Sequence, residues 1–119
     1  MTVTLSSHTL NGFDGTHAGG IGIDLFRLAD DGAREKIYSG ETDEGGRFLA
    51  ELDLVDDSQS KSFELVFTTG RYWTSRGTTD DTRQILREIV VRFAMPDPDK
   101  RYHIPVILSP NTYSIWLSG

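Results

Sequence analysis

The feature that most limits what this chain can fold into is a two-residue alternation of apolar with other side chains, confined to runs of a few residues. Ile21, Ile23 and Leu25 alternate with Gly22 and Asp24; Phe63, Leu65 and Phe67 with Glu64 and Val66; Ile89, Val91 and Phe93 with Val90 and Arg92. Successive side chains of a strand point to opposite faces, so each run is a strand offering one face to a core. Turn-forming clusters separate the runs: DDGA at 30–33, TDEGG at 42–46, PDPDK at 96–100 and SPNT at 109–112. That rhythm predicts an all-β sandwich instead of alternating strands and helices. One stretch departs from it. In TTGRYWTSRG, Thr68 or Thr69 can cap a first turn, Tyr72 and Trp73 can pack inward, and Gly77 can close the turn, which predicts one short helix near 69–76. VDDSQS at 55–60 reads as a polar loop. No repeat or linker divides the chain, so a single domain over 1–119 is expected.

Charge and composition exclude several classes of partner. Eighteen acidic against 12 basic residues give a net charge of −6, and no Lys/Arg cluster exists to neutralise several phosphates together, so no nucleic acid is expected to bind. No apolar run approaches the roughly 20 residues that span a bilayer, and no membrane association is expected. The start, MTVTLSSHTLNGF, lacks the basic and apolar regions of a signal peptide, which points to a cytoplasmic protein. Absence of cysteine excludes disulfides, Cys-ligated zinc and thiol catalysis.

Three histidines remain as candidate chemistry. None lies in an HExxH pattern or an i,i+4 helical pair, so no metal or other cofactor is expected. His8 falls in the first strand and His103 in the penultimate one; taken singly, each reads as a structural or surface residue, and a joint role requires the fold to bring those strands together. His17, in the loop after the first strand, receives no role. In the stretch YHIPVILSPNTYSIWLSG, period two puts His103, Pro105 and Ile107 on one face, and Ser114, Trp116 and Ser118 on one face of the next strand. If these strands form a hairpin, His103 lies near Trp116 or Ser118. A Trp so close to the chain end is more comfortable under the cover of another subunit. Arg47, just past the TDEGG turn, offers a rigid fork of donors suited to an anionic or carbonyl-bearing ligand.

These residues resemble the signatures of the transthyretin-like family, and within it the 5-hydroxyisourate hydrolases of purine breakdown. HTLNGFDGTHAGGIGI is similar to the first signature, with Thr9 in place of a usual Val or Ile and His17 in place of a usual Pro. FELVFTTGRYWTSRG resembles the strand and short helix of the fold. YHIPVILSPNTYS is similar to the second signature, with Asn111 and Thr112 replacing an aromatic and a Gly or Ser. The resemblance covers nearly the whole chain and implies a transthyretin-like (prealbumin-like) two-sheet β-sandwich. It also implies a homotetramer, a dimer of dimers, in which the last strands face across a channel. In the hydrolases a first-strand His, an Arg after the Gly-rich turn and the His of the second signature meet in the active site; these match His8, Arg47 and His103, whereas hormone carriers hold other residues there. The implied reaction is metal-free water attack on an amide-type carbonyl that opens the six-membered ring of a purine-derived substrate. His103 is assigned as general base, His8 as water-positioning partner or acid and Arg47 as carbonyl anchor, with the two histidine roles open to exchange.

The chain departs from the family at its end, where Trp116, Leu117, Ser118 and Gly119 replace the usual Tyr-Arg-Gly-Ser that lines the substrate cavity. Ser114, Trp116, Leu117 and Ser118 are therefore the expected substrate-binding residues. Trp for Tyr and Leu for Arg remove hydrogen-bonding capacity and add apolar surface. Two substrates stay open: plain 5-hydroxyisourate, or an N-methylated form such as the trimethyl compound. A non-enzymatic carrier of a planar apolar ligand and a structural accessory domain are the readings from other classes, and retention of His8, Arg47 and His103 together opposes both.

Overall fold

The computed structural model describes residues 2–53, 61–97 and 99–118, so the expected loop at 55–60 and Pro98 within the PDPDK turn lie outside the described residues. Eight strands and one helix follow in the order β1 Thr2–Asn11, β2 Gly22–Leu28, β3 Arg34–Glu41, β4 Arg47–Asp53, β5 Ser62–Thr68, α1 Gly70–Ser75, β6 Glu88–Ala94, β7 Arg101–Ser109 and β8 Thr112–Ile115. They form two four-stranded sheets, β4-β1-β7-β8 and β3-β2-β5-β6. β1 and β7 run parallel; every other neighbouring pair is antiparallel.

The inner faces of both sheets meet in one cluster that includes Val3, Leu5, Ile104, Val106 and Leu108 from the first sheet and Ile23, Leu25, Phe63, Leu65, Phe67 and Ile89 from the second. The alternation in the sequence is the physical origin of this core: odd-numbered residues of β1 are buried and even-numbered ones face outward. Full burial of each Leu, Ile or Phe contributes roughly 1.5–3 kcal/mol, so a strand shifted by one residue would forfeit most of that and turn its apolar set to water. Two polar side chains on the buried side of β1 are satisfied locally. Ser7 Oγ donates to the Ile104 carbonyl at 2.6 Å, and Thr9 Oγ1 to that of Ala18 at 2.6 Å.

Helix α1 closes one end of the sandwich with Trp73 and Tyr72 buried, as their placement in the sequence predicts. Its two ends differ in how they are satisfied. At the C-terminal end Gly77, at φ +74, donates to the Thr74 carbonyl while Thr78 donates to that of Trp73, a Schellman ending. At the N-terminal end Thr69 occupies the cap position, but its hydroxyl makes no capping bond. The backbone N–H groups of Thr69 and Gly70 donate to the Arg87 carbonyl at 3.2 and 3.0 Å, so a tertiary contact anchors the start of the helix. No described helix is long and apolar enough to cross a membrane.

Candidate active site

The outer face of the β4-β1-β7-β8 sheet collects the residues singled out in the sequence, and strand register decides how. His8 on β1 stands opposite Arg47 on β4 and beside Pro105 on β7. One step along the same face, Ser6 stands beside His103, which bridges Ser118 through reciprocal backbone hydrogen bonds of 2.9 and 3.0 Å. The β7–β8 register, which pairs Ile107 with Ser114 and Val106 with Ile115, thus runs on past β8 to His103 and Ser118 and sets Trp116 against Pro105. Two adjacent cross-strand rows result: Arg47, His8, Pro105, Trp116, and Leu49, Ser6, His103, Ser118. Ser114, Trp116 and Ser118 share the face of the two histidines. The same alternation sets Leu117 across from Ile104, off that face, with 48% of its surface exposed.

Each polar group is held by a local device. Gly46 adopts φ +75, where a side chain is strained, and a Cβ there would overlap the Thr9 carbonyl oxygen; only glycine lets the TDEGG turn lie this close to β1. The turn is closed by Gly46 N–H to the Asp43 carbonyl and by Arg47 N–H to the Asp43 carboxylate at 2.8 Å, which delivers Arg47 into register with His8. The Arg47 guanidinium has no ion-pair partner among the described residues. His103 Nδ1 lies 2.8 Å from Ser6 Oγ, a contact that orients its ring. His8 Nε2 lies 3.0 Å from the Gly45 carbonyl oxygen. Burial of the His8 ring and then the neighbouring Arg47 cation hold its imidazole below the ordinary histidine range, with His17 and His103 adding in the same direction and the Gly45 carbonyl opposing. His8 is accordingly a neutral imidazole beside a permanent cation at pH 7.

His17 lies beside this constellation, although its place in a loop had given it no role. Its Nδ1 is 3.0 Å from His8 Nε2, and the two rings have centroids 5.0 Å apart at 23°. The sequence does hold a signal for this in NGFDG at 11–15: Asn11 Oδ1 accepts the Phe13 and Asp14 N–H groups, the chain reverses, and a β-bridge joins Leu10 to His17. Ser6 was likewise missed, because only the parallel β1–β7 pairing brings it to a residue 97 positions away. Among the described residues no group of three or more His, Cys, Asp or Glu is placed to hold a metal ion.

The family model described as HIUase/Transthyretin matches residues 5–117. The chain belongs to this family. A curated relative, 5-hydroxyisourate hydrolase 2 of Rhizobium meliloti (strain 1021), is 36% identical over 112 residues, which cover 94% of this chain and 92% of the relative. Among solved structures, (S)-allantoin synthase superposes with a TM-score of 0.81 at 27% identity, over 99% of this chain but only 44% of that one, so this HIUase/Transthyretin chain spans less than half of that protein. Transthyretin from Sparus aurata superposes with a TM-score of 0.78 at 26% identity, over 96% of this chain and 95% of that one. The transthyretin-like sandwich is thus shared by proteins named for different activities, and the side chains on the outer face must discriminate among them.

Proposed function

We propose that this chain is a cytoplasmic, metal-free hydrolase that opens the six-membered ring of 5-hydroxyisourate on the outer face of the β4-β1-β7-β8 sheet. The observation that carries the reading is the convergence of Arg47, His8 and His103, from three different strands, on one face, with a neutral His8 beside an unpaired guanidinium. Water attack on an amide-type carbonyl needs a base for the water, a donor for the developing oxyanion and a proton for the leaving nitrogen. In the tautomer that donates Nδ1–H to Ser6 Oγ, which we assign to His103, Nε2 is the base. It takes a proton from the water as the new C–O bond forms and returns that proton to the nitrogen as the C–N bond breaks. His8 holds the other proton of the water, and Arg47 anchors the carbonyl oxygen on which negative charge develops. A lost oxyanion donor costs about 10²–10³ in rate.

The reading extends to substrate and assembly. Trp116 beside Pro105, and Leu49 and Ile107 on the same face, line the surroundings of His103 with apolar groups, and Ser114 and Ser118 supply small hydroxyls. An apolar wall favours one added methyl by roughly 1–3 kcal/mol, whereas a site built to pair a ring N–H rejects it. We therefore assign N-methylated 5-hydroxyisourate as the better substrate, a choice that rests on Trp116 and not on Leu117, which points off this face. Trp116 and Leu49 are 50% and 54% exposed in one protomer, and a homotetramer, a dimer of dimers, would cover them and close the site.

The deciding experiment generates 5-hydroxyisourate and its trimethyl analogue from the corresponding urates and follows the ultraviolet decay of each above the uncatalysed rate. Faster decay of both, with the trimethyl compound preferred about tenfold or more, is the expected result. Preference for the plain compound overturns the role of Trp116 in substrate choice. Acceleration of neither overturns the enzyme and leaves the exposed apolar face as the binding surface of a carrier.

A further inference from the structure

Two acceptors converge on a single ring nitrogen of His8. The Gly45 carbonyl oxygen, 3.0 Å from Nε2, can only accept, so the His8 proton resides on Nε2. His17 Nδ1, also 3.0 Å from Nε2, must then present its lone pair to the same proton. Both acceptors sit on backbone that cannot easily yield. Gly45 precedes Gly46, which is wedged against Thr9 and Ala18. His17 is fixed by Asn11 N–H to the Thr16 carbonyl at 2.8 Å and by Ala18 N–H to the Thr9 carbonyl at 2.9 Å, on either side of its bridge to Leu10. The segment around His17 thereby continues the edge of β1 where the register with β4 ends at Arg47, and adds a third row to the face: His17, Leu10, Ile107, Ser114.

We propose that His17 is a positioning residue for His8: it shares the His8 Nε2 proton with the Gly45 carbonyl, so that His8 meets substrate as a neutral ring with Nδ1 unprotonated. This rests on the proposed function only in making His8 the group that holds the attacking water, since a water proton needs that bare Nδ1. The partners differ in one respect. A carbonyl fixes the tautomer and stays neutral at every pH, whereas His17, with its Nδ1 3.0 Å from His8 Nε2, is an ionisable neighbour. Behind burial and Arg47, His17 is among the groups that hold the His8 imidazole below the ordinary histidine range. Of the other ionisable groups around His8, Arg47 comes from β4 and His103 from β7; Asp43, in the turn that carries Gly45, is held by the Arg47 N–H, Asp14 of the His17 loop pairs with Arg76, and among the described residues the tail brings Trp116 and Ser118 to this face. Arg47 keeps its charge throughout, so His17 is the neighbour outside the reacting trio whose loss alters both the tautomer and the titration of His8.

The test compares the full-length protein with His17→Ala, which removes acceptor and charge together, and His17→Asn, which keeps an acceptor oxygen at the δ position without a titratable group. Nitrogen-15 ring spectra of the resting protein report the His8 tautomer without any substrate, so this arm stands or falls separately from the assignment of the reaction. The wild type is expected to show the Nε2–H form. His17→Ala should give mixed tautomers, a kcat lower by about tenfold with KM little changed, and an acid limb of kcat/KM moved to higher pH, because His8 then protonates more readily. His17→Asn should restore the Nε2–H form and most of the lost kcat while keeping the displaced acid limb. A His17→Ala protein with the wild-type tautomer and an unmoved acid limb overturns the proposal whatever its rate, as does an equal loss of kcat in both variants with neither spectrum nor pH profile altered.

Discussion

The two sheets of this sandwich present outer faces of opposite character, and the difference is in how charge is satisfied. On the β3-β2-β5-β6 face, Glu64 is only 6% exposed and accepts from Arg92 at 2.7 and 3.1 Å and from Arg34 at 3.2 Å. Arg34 also covers the Phe26 ring at 4.2 Å, and Lys36 and Ser39 attend Asp24 at 3.6 and 2.6 Å. These charges are spent within the chain. On the β4-β1-β7-β8 face, Arg47 lacks an ion pair among the described residues, His8 is kept neutral, and Leu49, Ile107 and Trp116 stand partly bare. Donors left unpaired beside apolar surface are what a ligand or a second protomer can complete. The first face contributes stability, and the second is the one on which the proposed chemistry and assembly draw.

The sharpest way to break this comparison is to exchange the consequences of a mutation between the faces. His103→Ala should lower kcat/KM by about 10²–10⁴ while moving the denaturant midpoint little, since the ring is only partly buried and its loss leaves one partly buried hydroxyl, that of Ser6, to find water. A His103→Ala protein that retains its rate would remove the chemistry from this face. The next largest effect lies at the joint between turn and sheet. Gly46→Ala should cost about 1–3 kcal/mol in urea unfolding from backbone strain alone, with activity lost in parallel as Arg47 leaves its register with His8. Wild-type activity in a destabilised Gly46→Ala protein would show that Arg47 does not need that register.

The smallest effect sharpens the other face. Hydrogen bonds from Arg92, set against partial desolvation and reinforced by Arg34, hold the Glu64 carboxyl below the ordinary range. A depressed folded-state pKa means that the unfolded chain binds the proton more readily, so the contribution to stability is complete above the unfolded value near ~4.3 and is lost as pH falls through the folded value. Glu64→Gln should therefore cost about 1 kcal/mol or less at pH 7, with the difference from wild type shrinking as pH drops below about 4 and with no change in activity. A difference in unfolding free energy that stays constant across that range would take the ion pairs out of the stability of this face.

Much of the fold was legible because its signals are local. Alternation in β2, β5 and β6 marked the strands and their buried faces, and the apolar pair Tyr72–Trp73 with Gly77 beyond marked the helix. The helix start differs in one detail from the expected cap by Thr68 or Thr69: the Thr69 hydroxyl makes no capping bond, and the Arg87 carbonyl, 17 or 18 residues onward, accepts the N–H groups of Gly70 and Thr69. Asn111 shows the same limit. In the sequence it is a departure at a turn; in the fold its side chain accepts from Ile85 and Leu86 N–H and donates to the Arg83 carbonyl, tying the β7–β8 turn to a distant loop. Buried Gln84 reaches the Pro110 carbonyl in the same way.

The sequence alone therefore marked the strands at 21–25, 63–67 and 89–93 with their apolar sides, and put Ser114, Trp116 and Ser118 on one face of the last strand, because side-chain alternation is a property of neighbouring residues. It also carried the family signatures that named His8, Arg47 and His103 as a set. Only the tertiary structure decided that β1 pairs with β7 in parallel, that Ser6 orients His103, that Leu117 turns away from the face of the two histidines, and that His17 meets His8. Each of these depends on strand register across long stretches of chain, and register is set by the summed burial of both sheets, which no short segment encodes.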